Sequence, residues 1–267
     1  MVNEVIKGMF IGIALILPGL SAGTVIIILG FYRRFLEDLA GLHIKPYLLM
    51  LIGAAVGVLA GVFFINFLLD HYYTAIMAFI LGMLIASIPL VVSCNNYKTL
   101  RSIYFIRIII WPVLLGVIGF YITWFIICEP ARTFTVIPPG GHLHFFIGGT
   151  LSSATMVLPG VSGSSILIIM NLYDDVIRAI STLQWKNLGF LVAGFSLGLI
   201  GFARLLSALY RRYQKAISFL LAGLILGSTR ALLPVSFGFT FFAFFILGAT
   251  AVFYLAFRGK KIDSSRV

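Results

Sequence analysis

The chain has 267 residues, of which 61% are hydrophobic and only 10% charged. This balance excludes an ordinary soluble domain, in which about a quarter of the residues are charged. The formal net charge of +11 would indicate nucleic acid as the partner of a soluble protein. In a membrane protein it instead marks loops that face the cytoplasm and its anionic lipids. We therefore expect a polytopic α-helical membrane protein that contacts anionic lipids on its cytoplasmic face and binds no nucleic acid.

Eight apolar stretches follow one another, and six are continuous and long enough to cross a bilayer. These six spans lie at about 47–69, 75–93, 108–127, 188–209, 216–233 and 238–257. The other two stretches, at about 5–30 and 143–172, are interrupted by a Pro-Gly pair. Each of their arms has about twelve residues, or about 18 Å of helix, which is too short for a full crossing. Each is therefore either one broken span or a re-entrant hairpin that enters the bilayer and returns.

The two interruptions carry similar sequences. The first motif reads Leu17-Pro18-Gly19-Leu20-Ser21-Ala22-Gly23-Thr24, and the second reads Leu158-Pro159-Gly160-Val161-Ser162-Gly163-Ser164-Ser165. The shift along the chain that carries Leu17 onto Leu158, here called the repeat offset, also aligns Gly53 with Gly194 and Gly82 with Gly223. A gapless register over about eighty residues indicates an internal duplication, with repeats at 1–141 and 142–267.

The basic residues decide between broken spans and hairpins. If both interrupted stretches are re-entrant, most of the 19 Lys and Arg residues fall on one membrane face. These are Lys7, Arg33, Arg34, Lys45, Lys98, Arg101, Arg107, Arg211, Arg212, Lys215, Arg258, Lys260, Lys261 and Arg266. If the stretches crossed instead, five of them would move outside, against the enrichment of Lys and Arg in cytoplasmic loops. We therefore expect hairpins, with both termini in the cytoplasm.

Each half then contains one hairpin and three spans. Because three is an odd number, the second half would lie upside down in the membrane relative to the first, as in the inverted repeats of secondary transporters. We thus expect an all-α inverted-topology repeat whose hairpin tips approach the midplane from opposite sides. The third spans, 108–127 and 238–257, align poorly by residue, so their equivalence rests on their order alone.

The motifs have the chemistry of an anion site. Ser21 and Ser162 are good N-caps, and a helix that begins inside the membrane presents unpaired N–H groups to the space before it. Glycine allows close backbone approach, and hydroxyl groups add donors for an anion such as phosphate. The candidate substrate-binding residues are Pro18, Gly19, Ser21, Gly23, Thr24, Pro159, Gly160, Ser162, Gly163, Ser164 and Ser165. The alternative is that Pro-Gly only bends the helix while the serines bond to backbone carbonyls.

Outside the motifs, Arg204 and Arg230 are the two basic residues inside predicted spans. An arginine in a span suggests a functional partner, and we include both as substrate-binding candidates. Arg204 could equally snorkel to the cytoplasmic surface, and Arg230 could be an interfacial anchor. Glu129, His142 and His144 precede the second hairpin, where an ordinary loop is the preferred interpretation.

No signal peptide, disulfide or cofactor is indicated. The first apolar stretch has no Ala-x-Ala cleavage site after it, so we expect it to be retained. Cys94 and Cys128 fall at opposite ends of one predicted span, about 30 Å apart and too far for a disulfide. No paired Cys/His pattern is present, so we expect neither a metal nor another cofactor.

The paired motifs resemble those of the PopT family of undecaprenyl-phosphate translocases. In that family, as here, each motif is followed by an apolar arm that ends in a tyrosine, here Tyr32 and Tyr173. Two departures are Ala22 and Asn171, where the family prefers glycine. The resemblance covers the whole chain and implies that the C55 lipid carrier phosphate is returned across the bacterial cytoplasmic membrane, for reuse in envelope polymers such as peptidoglycan. The head group would be held at the two hairpin tips.

Two other functions use the same plan. An undecaprenyl-pyrophosphate phosphatase would need an arginine after the motif serine and a pair of glutamates, whereas Glu4, Glu37 and Glu129 are scattered here. We therefore expect a transporter without catalytic residues. A small-anion secondary transporter stays open, because helix N-termini bind any anion. Coupling to protons or sodium would suit either transporter, and the sequence determines neither the coupling ion nor the oligomeric state.

Overall fold

A computed structural model describes residues 2–17, 20–93, 105–127, 141–233 and 238–263. Every regular element in these ranges is helical, which confirms the all-α expectation. The first part contains α1 (Val2–Ile16), α2 (Ala22–Ile28), α3 (Tyr32–Ala40), a 3-10 turn (Lys45–Tyr47), α4 (Leu48–Ser93), α5 (Phe105–Tyr121) and a π-helical segment (Ile122–Ile127). The second part contains α6 (His142–Val157), α7 (Gly163–Ile169), α8 (Tyr173–Ser181), α9 (Trp185–Arg212), α10 (Gln214–Ser228), a 3-10 turn (Thr229–Leu232) and α11 (Phe239–Asp263).

Five helical segments in the described ranges are long and apolar enough to cross a membrane. They are Lys45–Val62, Phe67–Val92, Trp185–Arg212, Gln214–Leu232 and Phe239–Ala256. Each coincides with one of the six continuous spans expected from the sequence. The remaining expected span, 108–127, corresponds to a shorter apolar helix at Ile110–Phe125. The chain is therefore a multi-pass membrane protein.

Both interrupted stretches break at their motifs. The helix α1 ends at Ile16 and α2 begins at Ala22, while α6 ends at Val157 and α7 begins at Gly163. The arms before the breaks have 15 and 16 residues, and α2 and α7 have only 7 each. All four are shorter than the roughly twenty residues that a crossing requires.

Left-handed residues separate these short helices from α3 and α8. Gly30 lies at φ 81°, and Asn171, which occupies the matching position at the repeat offset, lies at φ 53°. Only glycine adopts this conformation freely, and asparagine is among the few other residues that adopt it routinely. Asn171 therefore does what the glycine usual at this position does, which explains one departure from the family pattern.

Helix contacts also recur at the repeat offset. A side chain at Gly8 of α1 would collide with the carbonyl of Met50 in α4, and one at Gly149 of α6 would collide with the carbonyl of Leu191 in α9. The long helix α4 is kinked at Tyr72, at φ −133° and ψ 34°. Tyr213, which separates α9 from α10, has nearly the same conformation, at φ −128° and ψ 46°. The two parts of α4 thus correspond to α9 and α10.

The helices α5 and α11 cross over to the opposite half. α11 packs on the second part of α4, and α5 packs on α10. Gly248 of α11 faces the Phe79 carbonyl, and Gly119 of α5 faces the Leu220 carbonyl. Because the shift from Gly119 to Gly248 is shorter than the repeat offset, an alignment at one fixed shift cannot match these two helices.

The main hydrophobic core lies where the two halves meet. Most of its buried members come from α2 and α3, from the second part of α4, and from α9 and α10, with single members from α1, α6 and α11. Both motifs border this core through Leu20 and Val161. The packing therefore places the two motifs beside each other.

Candidate functional site

The two motifs are in direct contact. The backbone N–H of Gly160 donates a hydrogen bond to Oγ of Ser21 at 2.9 Å, across 139 residues of sequence. A Cβ at Gly23 would lie 3.2 Å from the backbone nitrogen of Pro159, so the first motif packs tightly against the second. This juxtaposition is what the expectation of a shared site requires.

Ser21 is fully engaged within the protein. Its hydroxyl oxygen accepts a hydrogen bond from the Thr24 N–H at 3.2 Å, which caps α2, and it also bonds to the Thr24 hydroxyl at 3.0 Å. Thr24 and Gly23 are buried. The N-cap expected at Ser21 is thus present, and the hydroxyl groups of this motif serve backbone and side-chain partners inside the fold.

The second motif is held by its glycines. Gly160 has φ 82°, and a Cβ there would lie 2.7 Å from the Leu224 carbonyl oxygen of α10. Gly163 packs against Ser152 of α6, whose hydroxyl donates to the Gly163 carbonyl at 2.8 Å. Both positions therefore require glycine, one for its conformation and both for the close approach of a neighbour.

The hydroxyl groups of the second motif are open. Ser162 and Ser164 are exposed, and their Oγ atoms lie 2.8 Å apart. Ser162 occupies the N-cap position of α7, but its side chain makes no capping hydrogen bond. Ser165 is half-buried. The two motifs thus match in sequence but differ in exposure, the first closed and the second open.

Pro18 and Gly19 lie outside the described residues, so their predicted role stays a prediction. Arg204 and Arg230, by contrast, are both described, and each donates to a backbone carbonyl. Nε of Arg204 donates to the Ala40 carbonyl at 2.9 Å, at the C-terminus of α3. Nη1 of Arg230 donates to the Trp124 carbonyl at 2.5 Å, and its guanidinium group lies 5.6 Å from the centroid of the Trp124 ring.

The histidines lie in the first turn of α6 rather than in a loop. Nδ1 of His142 bonds to Oδ1 of Asn187 at 2.6 Å. His144 is buried, and its Nε2 lies 3.1 Å from the Met170 carbonyl oxygen. Glu129 lies outside the described residues. The loop interpretation was wrong for both histidines, because Gly141 is the N-cap of α6 and the helix begins at His142.

The structural role of Tyr32 was not recognised from the sequence. The Tyr32 hydroxyl donates to the Val157 carbonyl, the last carbonyl of α6, at 2.8 Å in a buried setting. In the sequence, Tyr32 and Tyr173 are noted only as the tyrosines that end the arms after the two motifs. The recurrence of a tyrosine at the same distance after each motif was the available signal.

Comparison with known proteins gives the family and two relatives of the chain. The family model described as undecaprenyl phosphate translocase-like matches residues 1–108 and 98–243. A polyprenyl-phosphate transporter of Vibrio cholerae is 30% identical over 247 residues, covering 86% of this chain and 76% of that protein. A polyprenyl-phosphate transporter of Staphylococcus aureus is 27% identical over 247 residues, covering 86% of each chain. No solved structure matches the chain.

Proposed function

Because the chain belongs to the undecaprenyl phosphate translocase-like family, we propose that it carries undecaprenyl phosphate or a close polyprenyl phosphate across the bacterial cytoplasmic membrane. The multi-pass helical architecture and the names of both relatives support this function. The carrier phosphate would then be available again for envelope polymer synthesis.

The observation that carries the proposal is the contact between the two motifs, with the Ser162 and Ser164 hydroxyls exposed side by side. A lipid phosphate offers several acceptor oxygens, and hydrogen bonds to such charged groups are stronger than neutral ones. We assign the Ser162 and Ser164 hydroxyls to the head group, with Ser165 beside them. Ser21 holds the Gly160 backbone in place instead of binding the lipid in this conformation.

The proposed membrane arrangement is an inverted repeat of 1–141 and 142–267. Its support is the recurrence of helix bounds, left-handed residues and glycine contacts at the repeat offset. The short arms α1, α2, α6 and α7 would form two re-entrant hairpins. In this arrangement the excess of Lys and Arg places both termini in the cytoplasm.

A phosphatase is less consistent with the described residues. Glu4 pairs with Lys7 at 3.0 Å within α1, and Glu37 pairs with Arg33 at 3.0 Å within α3. Both carboxylates are thus paired with a basic residue of their own helix and not with each other. Release of inorganic phosphate from undecaprenyl pyrophosphate by the purified protein would contradict a purely transporting role.

The test of the proposal is reconstitution of the purified protein in vesicles that contain a polyprenyl phosphate with a detectable head group. We expect the protein to speed equilibration of that lipid between the leaflets, and we expect the double variant Ser162→Ala, Ser164→Ala to lose most of this activity. Ser196→Ala is the matched control, because its hydroxyl is exposed on α9 and bonds to the Val192 carbonyl of its own helix. Equilibration no faster than in empty vesicles would refute the function.

A small anion is the competing substrate. Thermal unfolding in detergent separates the two, because a ligand that binds the native state stabilises it by an amount that grows with the ratio of ligand concentration to Kd. Stabilisation by polyprenyl phosphate but not by inorganic phosphate supports the lipid substrate, and the reverse result supports a small-anion transporter. Repeating the lipid assay with imposed proton or sodium gradients tests ion coupling.

A further inference from the structure

The helices that follow the two motifs are buried to very different extents. In α3, Tyr32 is 7% exposed and Leu36 is 1% exposed. At the matching positions of α8, Tyr173 is 40% exposed and Ile177 is 50% exposed. The two pairs, Tyr32 with Leu36 and Tyr173 with Ile177, have the same spacing along their helices, and each forms an apolar stripe. The sequence therefore builds two equivalent faces, and the fold covers one of them.

The covered face lies against the other half of the molecule. The helix α3 packs on α9, Tyr32 donates to the Val157 carbonyl, and Arg204 of α9 donates to the Ala40 carbonyl. Ala203 of α9 is completely buried in this region. The helix α3 is thus closed onto the second half by two hydrogen bonds and an apolar face.

The corresponding partner of α8 is the first part of α4, residues 48–71. There Val62 occupies the position equivalent to Ala203 and is 38% exposed. Ile16 ends α1 just as Val157 ends α6, so its carbonyl belongs to the group that lacks a partner within its own helix. The two sides of an equivalent contact are therefore present, one on α8 and one on α1 and α4, and within the described residues α8 does not pack on α4 as α3 packs on α9.

We propose that the two contacts are alternative closures of one transporter. In the observed state α3 is closed on α9. In the other state Tyr32 releases Val157, α8 packs on residues 48–71 of α4, and the Tyr173 hydroxyl donates to the Ile16 carbonyl. In the proposed membrane arrangement, the observed state is closed toward the cytoplasm and open toward the outside.

Each closure makes one tyrosine hydrogen bond and covers one apolar face, and the observed closure has in addition the bond from Arg204 to the Ala40 carbonyl, for which Phe63 stands at the equivalent position in the first half. Two packings that differ by a small free energy are the requirement for population shifts between states. The same movement would alternately close Ser21 and Ser162 within the fold. The inference deepens the proposed function and rests on it, since a two-sided closure is what transport across a membrane needs.

The test measures distances within the protein and needs no substrate. Spin labels are placed on a background in which Cys94 and Cys128 are serine, at two pairs of exposed positions related by the repeat offset: Arg33 with Leu205, and Asp174 with Phe64. Double electron–electron resonance then reports closure of α3 on α9 from the first pair and closure of α8 on α4 from the second. We expect each pair to show a short and a long distance, with complementary populations.

Two matched variants sharpen the test, because each removes one hydroxyl and leaves the ring. Tyr32→Phe should lower the short-to-long ratio of the first pair about 3- to 10-fold, as expected for the loss of one hydrogen bond, and raise that of the second pair. Tyr173→Phe should do the opposite. A single distance for the second pair that neither variant changes would overturn the proposal and indicate that the apolar face of α8 permanently contacts lipid. Complementary distances in a protein that moves no polyprenyl phosphate would uphold the two closures while refuting the substrate.

Discussion

The Gly160 N–H donates to the Ser21 hydroxyl at 2.9 Å, so that the serine of one motif holds the backbone of the other. The same hydroxyl caps α2 through the Thr24 N–H. Ser21 is therefore a structural serine in this conformation. Its sequence counterpart, Ser162, makes neither bond and presents its hydroxyl to the surface.

Replacing Ser21 by alanine should destabilise the protein. The Gly160 N–H loses its acceptor, the Thr24 N–H keeps the Ser21 carbonyl as its acceptor, and an unsatisfied buried donor costs about 1–3 kcal/mol. We expect a lower thermal unfolding temperature for Ser21→Ala in detergent and little change for the control Ser196→Ala. Equal unfolding temperatures for both variants would contradict the structural role of Ser21.

Replacing Ser162 and Ser164 should weaken lipid binding without weakening the fold. Their hydroxyls bond to each other at the surface, so their loss leaves no buried group unpaired. If each donates to the head group, at about 1.5 kcal/mol or more per bond, the double alanine variant should bind polyprenyl phosphate at least about 100-fold more weakly. Titration of the lipid followed by intrinsic fluorescence measures this, and unchanged affinity would remove the serines from the site.

Substitutions at Gly160 and Gly30 distinguish the cost of backbone strain from the cost of a steric clash. Both have positive φ, but a Cβ at Gly30 meets nothing within 4 Å, whereas at Gly160 it meets the Leu224 carbonyl at 2.7 Å. Gly30→Ala should cost about 1–2 kcal/mol, and Gly160→Ala should cost clearly more. Gly30→Asn should be the mildest of the three, because Asn171 holds the equivalent conformation. Denaturant unfolding gives the order, and a reversed order would contradict the proposed contact with α10.

The crossing of α11 over α4 depends on a small residue. Gly248 faces the Phe79 carbonyl so closely that a side chain would force the helices apart, whereas a Cβ at Gly201 of α9 meets nothing within 4 Å. We expect Gly248→Leu to reduce the yield of folded protein sharply and Gly201→Leu to be tolerated. Size-exclusion profiles in detergent make the comparison, and similar profiles would argue against this crossing.

Arg204 should act on α3 rather than on the substrate. Its Nε donates to the Ala40 carbonyl at the end of α3, where the negative end of the helix dipole favours a cation. Arg204→Met keeps most of the apolar stem, so we expect a small loss of stability and an unchanged affinity for polyprenyl phosphate. A large loss of affinity at unchanged stability would instead make Arg204 a head-group ligand.

The sequence alone predicts the helical class and the positions of the breaks, which the structure confirms, and it predicts the duplication. These features can be read along the chain. The length of each apolar stretch indicates a span, a Pro-Gly pair stops a helix, and identical residues at the repeat offset indicate the repeat. Even the left-handed turn at Asn171 is signalled by its match to Gly30. The placement of His142 and His144 in a loop failed because the helix start at Gly141 carries no strong cap in the sequence.

The tertiary structure decided how the two motifs differ. The sequence of the two motifs does not distinguish the roles of Ser21 and Ser162, since both follow a Pro-Gly pair and both suit an N-cap position. Only the packing of α3 on α9 buries Tyr32 and joins Ser21 to Gly160, and that packing depends on contacts between segments far apart in the chain. The proposed duplication predicts two equivalent closures, and the observed conformation makes the closure of α3 on α9.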